Sequence, residues 1–93
     1  MIVVVAEVRM RLYHARTLKD KRQFVRSVVA RLPQRFAVAA AEVDHLDDPR
    51  TVALGLAAVG NAKAHLETVL QSAIRFAAHE LDGEIYDVVL EER

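Results

Sequence analysis

The chain has 93 residues, 53% of them hydrophobic and 28% charged, with 13 basic groups, 13 acidic groups and no cysteine. That length supports one small domain around one core, and the apolar content separates it from disordered chains. Without cysteine, disulfide frameworks, thiolate zinc sites and cysteine nucleophiles are excluded, and a formal net charge of zero points to no class of partner.

The first residues, Met1 to Ala6, are apolar, but no basic segment precedes them and Glu7, Arg9 and Arg11 follow at once. This reads as a strand and not as a leader. No apolar run approaches the roughly 20 residues a membrane span requires, so a cytoplasmic address without membrane attachment is expected. Residues 2 to 12 alternate, with Val4, Ala6, Val8, Met10 and Leu12 on one face and Glu7, Arg9 and Arg11 on the other, the pattern of a half-buried strand. Thr17 then stands three residues before Asp20, an arrangement that satisfies free amides at a helix start. The helix beyond it is expected to bury Phe24, Val25, Val28, Val29 and Leu32 and to reach its last turn at Pro33.

Residues 36 to 43 are rich in alanine, which favours helix, yet a helix there would leave residues 51 to 60 without a hairpin partner, so a strand is expected. Asp44 to Arg50 holds three aspartates and a proline and reads as a loop. Thr51 to Val59 is apolar throughout, as in a strand covered on both faces. Asn61 is the expected cap of a second helix with the stripe Leu66, Val69, Leu70, Ala73, Ile74 and Ala77. Asp82-Gly83 ends that helix, and Glu84 to Leu90 forms the last strand. The order is βαββαβ. In one small domain with right-handed crossovers it predicts an α+β, ferredoxin-like arrangement: a four-stranded antiparallel sheet with two helices on one face.

Thr17-Leu18-Lys19-Asp20-Lys21-Arg22, then Phe36 through Ala41-Glu42-Val43-Asp44 and Leu54-Gly55-Leu56-Ala57, resemble the YlxP-like family of small bacterial proteins along nearly the whole chain. Ala37 and Ala39 replace residues commonly polar in that family, and the loop from Leu46 to Thr51 lacks a tryptophan often found there. The resemblance implies the same ferredoxin-like fold. Because genes of that family tend to lie beside those of translation and ribosome-maturation factors, it also implies a tie to RNA or the ribosome.

Charge is unevenly spread. Through residue 35 there are nine basic residues, Arg9, Arg11, Arg16, Lys19, Lys21, Arg22, Arg26, Arg31 and Arg35, against Glu7 and Asp20, a net of +7; the remainder carries −7. One reading is an electropositive surface on the first helix and the loop before it, with Arg16, Lys19, Lys21, Arg22 and Arg26 contacting phosphates. The other is a solvated face whose charges are balanced in space by the acidic second half. Lys19, Lys21 and Arg22 fall in the first helical turn, where the helix dipole disfavours cations. They need either an external anion held at the free amides or an internal partner such as Glu42.

His14, His45, His65 and His79 show no metal-ligand spacing; Asp44-His45-x-Asp47-Asp48 is a loose cation candidate at best. Neither a nucleophile elbow nor a phosphate-cradling glycine loop is present, and no cofactor is expected. Three functions remain: an accessory protein binding RNA or the ribosome by its phosphates, a homodimeric interaction or regulatory module, and, least favoured, a small enzyme using His14 or Glu42 as base. Base stacking in the manner of RNA-recognition motifs is disfavoured, since strands one and three hold no aromatic residue. By strand parity, Val3, Val5, Ala37, Ala39, Ala41, Val43, Ala53, Gly55, Ala57 and Val59 face away from the helices. That apolar, small-residue surface predicts a two-fold homodimer through Ala39, Ala41, Ala53, Gly55 and Ala57.

Overall fold

A computed structural model describes all 93 residues. The elements run β1 (Ile2–Leu12), α1 (Leu18–Arg35), β2 (Ala39–Asp44), β3 (Thr51–Gly60), α2 (Lys63–Leu81) and β4 (Gly83–Glu92). The strands form one antiparallel sheet in the order β2-β3-β1-β4, so β1 and β3 are central while β2 and β4 are edges. Of the helices, α1 lies over β2, and α2 over β1, β3 and β4. This is the ferredoxin-like arrangement expected from the periodicity.

The core follows from the alternation of β1. Val4, Ala6, Val8, Met10 and Leu12 are buried opposite Val52, Leu54, Leu56 and Ala58 of β3, and the helices close over them with Val25, Val28, Leu32, Leu66, Leu70, Ala73, Ile74, Ala77 and Leu81. Fully burying one such aliphatic side chain contributes about 1.5–3 kcal/mol. The register from Ile2↔Gly60 to Arg11↔Thr51 is unbroken, because a one-residue slip would turn the whole β1 set to solvent.

Several local expectations are corrected. The stripe of α1 is Lys21, Val25, Val28 and Leu32, so Phe24 is 49% exposed and Val29 half-buried. Thr17 does cap the helix, its hydroxyl accepting the Asp20 N–H at 3.1 Å. Pro33 falls in the last turn of α1, as expected; the helix runs to Arg35 and ends as the Phe36 N–H bonds the Leu32 carbonyl. Consequently Phe36 to Val38 is the exit from the helix, and β2 begins only at Ala39.

The cap position of α2 is Ala62, without a side-chain hydrogen bond, so Asn61 lies one residue too early to serve. At its other end Asp82 takes the left-handed conformation (φ 49°), which aspartate tolerates better than most residues. Gly83 instead opens β4, where an added Cβ would meet Met10 Sδ at 3.0 Å. On β3 the helices cover one face only; on the other, Gly55 and Ala57 are half-buried and Val59 is exposed.

Candidate functional site

The first turn of α1 is where the sequence predicts an anion site, and its three cations have different fates. Lys21 is completely buried. Its ammonium lies 2.8 Å from Glu42 Oε2 and donates to the His45 carbonyl at 2.5 Å. The Lys21–Glu42 contact supplies charge compensation without hydrogen-bond geometry, leaving Oε2 without a hydrogen-bond partner. Lys21 is therefore no surface anion ligand, since a buried charge must be answered locally and Glu42, facing the helix side opposite Leu54, answers it. The sequence carried this signal: Lys21 stands four residues before Val25 on the stripe of α1.

Around the lysine the β2–β3 loop is pinned by its own short bonds. The His45 carbonyl also accepts the Asp48 N–H at 3.1 Å, and His45 itself is left-handed (φ 56°). Asp44 accepts the His45 N–H at 2.8 Å, and this bond, with the nearby His45 charge next in weight, holds the Asp44 carboxyl below its ordinary value. Asp48 is lowered chiefly by the Arg50 N–H, which it accepts at 2.9 Å. These aspartates serve the loop, and no three His, Asp or Glu side chains of the chain come together as a metal site.

The remaining predicted cations lie at the surface. Arg16, Lys19, Arg22 and Arg26 are exposed. Arg22 reaches Asp47 only at 3.4 Å, with 51% and 92% of the two side chains exposed, a pair of little energetic weight. Arg16, Lys19 and Arg26 make no ion pair, whereas Arg31 pairs with Glu80, Lys63 with Glu92 and Arg93 with Glu91. The candidate bases for catalysis are not brought together: His14 Nε2 bonds Asp82 at 2.6 Å, while Glu42 is held by Lys21.

The open face of the sheet is a second candidate surface. Ala39, Ala41, Gly55 and Ala57 floor a trough of roughly 430 Å³ bordered by Val5, Val43 and Val89, with Glu7 among its lining residues. Gly55 is required there, since a Cβ would fall 2.7 Å from Val43 Cγ1. Ala53 does not belong to this surface, although strand parity is as expected. It is fully buried in the row Arg9↔Ala53↔Asp44, where the Arg9 guanidinium extends toward Asp44 (3.5 Å) while also meeting Glu7 (2.8 Å) and Asp87 (3.9 Å). Sequence reasoning missed Arg9, whose only local signal is Glu7 two residues away on the same face of β1; Asp87 of β4 and Asp44 of β2, across β3, come to it only through the sheet.

The buried pair predicts a sharp contrast. Lys21→Met, which leaves Glu42 uncompensated, is expected to lower the unfolding free energy by about 3–5 kcal/mol, and Lys19→Gln to change it by no more than about 0.5 kcal/mol. Urea unfolding of the two variants measures this; equal, small effects would mean that Lys21 is as solvated as Lys19.

With the geometry described, comparison with known proteins places the chain. A solution NMR structure of a de novo designed protein with ferredoxin fold superposes with a TM-score of 0.61 over 100% of this chain and 84% of its own, at 13% identity, a likeness of fold alone. The uncharacterized protein YlxP of Bacillus subtilis (strain 168) is 30% identical over 65 residues, covering 70% of this chain and 71% of that protein. The family described as "Protein of unknown function (DUF503)" matches residues 3–90. The chain therefore belongs to this YlxP-like family of unknown function.

Proposed function

We propose that the chain is a homodimeric interaction module that closes on a second copy of itself through the open face of its sheet. The observation that carries this reading is the apolar trough. Val3, Val5, Ala39, Ala41, Val43, Gly55, Ala57, Val59 and Val89 lie on the side of the sheet without helices, and contiguous apolar surface of this kind on a folded domain commonly marks an interface. Small side chains along its floor let a second sheet approach closely. A two-fold contact, in which the same patch meets itself, uses the surface on both protomers at once.

The charged groups of this face pair among themselves, Arg93 with Glu91 at 3.4 Å and Arg9 with Glu7, Asp44 and Asp87, so the small apolar residues between them are the part left to meet the same patch of a second copy. Light scattering is expected to give twice the chain mass of 10.4 kDa for the wild type, and the monomer mass for Ala57→Arg with an unchanged circular dichroism spectrum. A wild type that scatters as a monomer at high micromolar concentration contradicts the reading.

A second reading, phosphate binding to RNA or the ribosome, is favoured by one observation: Arg16, Lys19 and Arg26 are exposed without an acidic partner, and Arg22 has only a distant one. Four phosphate contacts to single-stranded RNA would make the logarithm of affinity fall with the logarithm of salt at a slope of roughly −3. Replacing Arg16, Lys19 and Arg26 by Gln should flatten that slope to near −1. A wild-type affinity that is independent of salt, or absent at low salt, excludes this reading.

A further inference from the structure

β2 is an edge of the sheet, and its backbone pairs only with β3, so alternate N–H and C=O groups of Ala39 to Asp44 point outward unpaired. Edge strands are commonly guarded by proline, by lysine, by a bulge or by a covering element. The β2 sequence Ala-Ala-Ala-Glu-Val-Asp has no proline or lysine, and its one bulge lies at its C-terminal end, between Glu42 and Asp44. Its one charge directed to the helix side, Glu42, is already neutralised by Lys21.

Alongside this edge, between α1 and the β2–β3 loop, runs a groove of roughly 380 Å³ lined by Arg22, Val25, Arg26, Val29, Glu42 and Leu46. Its apolar part is Val25, Val29 and the 53%-exposed Leu46. Its cations are Arg26, without an ion pair, and Arg22, whose one contact is with the exposed Asp47 at 3.4 Å. Unpaired backbone beside a mixed apolar and cationic groove is the combination by which sheet edges take up extended peptides.

We propose that the β2 edge and this groove receive an extended acidic peptide of a partner protein, added to the sheet as a fifth strand. The peptide backbone pairs with the outward groups of β2, alternate apolar side chains cover Val29 and Leu46, and carboxylates meet Arg22 and Arg26. Charge selects the occupant: the free cations of the groove call for carboxylates, and the outward backbone groups call for an extended chain. The open sheet face is not used, so this inference stands or falls separately from the homodimer.

A peptide with the sequence of residues 83–92, Gly-Glu-Ile-Tyr-Asp-Val-Val-Leu-Glu-Glu, is a suitable probe because it is acidic, apolar at intervals and strand-forming. Amide hydrogen exchange of the whole protein with and without the peptide reads the backbone directly. Exchange across residues 39–44 is expected to slow about tenfold on binding, and Arg22→Glu with Arg26→Glu, both at exposed positions, to raise Kd about tenfold. A peptide of the same charge with prolines at alternate positions is expected not to bind. No slowing at residues 39–44 in millimolar peptide overturns the proposal, as does equal binding of the proline peptide, which would mark a polyanion surface suited to RNA. Protection of residues 39–44 that grows with protein concentration in Ala57→Arg, the variant designed to remove the sheet-face dimer, in the absence of peptide also overturns it, because the occupant of the edge would then be a second copy.

Discussion

A lysine without access to solvent has to be answered from within, and much of this molecule is arranged around that requirement. Stripping an ammonium of water costs several kcal/mol even after relaxation, and attraction to a partner offsets this only if the geometry is well held. Lys21 meets the condition by joining three elements: it leaves α1, pairs with Glu42 of β2 and donates to the His45 carbonyl in the β2–β3 loop. The hairpin is thereby fixed to the first turn of a helix far away in sequence.

A β-bulge makes this compatible with the other face of the sheet. In a regular strand Glu42 and Asp44 would point the same way. The register shift between them lets Glu42 face the helices and Lys21 while Asp44 turns outward to Arg9. One extra residue thus serves two ion pairs on opposite sides of a single sheet. The Arg9 network closes one end of the open face, leaving the small apolar residues from Ala39 to Ala57 as its uncharged part. Charge separation along the chain also becomes separation in space: the free cations of α1 lie beside the β2 edge, and Glu84, Asp87, Glu91 and Glu92 occupy the opposite edge on β4.

The fold was legible because its strongest signals are periodic. Alternation in β1, the Thr17 cap and the stripe of α2 come from local sequence and survive in three dimensions. Errors fall where one residue type suits two conformations. The alanines before Glu42 did not mark where helix exit gives way to strand, and neither Asn61 nor Gly83 reveals that Ala62 and Asp82 hold the terminal positions. At the candidate site, of the two partners open to the first-turn cations the internal one, Glu42, is the one Lys21 takes, so placing Lys21 among the surface cations gave weight to its charge over its place on the helix stripe; Ala53 was assigned the right side of the sheet but not the arginine beside it. The Arg9–Asp44 approach that covers Ala53 is a long-range contact across β3, which no local pattern displays.

The central claim is that Lys21 is sealed in the fold, and nitrogen-15 NMR of the side-chain ammonium groups tests it most directly. The chain has three lysines, Lys19, Lys21 and Lys63. Lys21 should give a resolved Nζ–H signal at neutral pH because burial, its hydrogen bond to the His45 carbonyl and the adjacent Glu42 carboxylate slow exchange with water, and that signal should shift when Glu42 is changed to Gln. Lys19 and Lys63 should exchange too fast to be seen. Loss of all three signals alike, or a Lys21 signal indifferent to Glu42→Gln, would contradict the account.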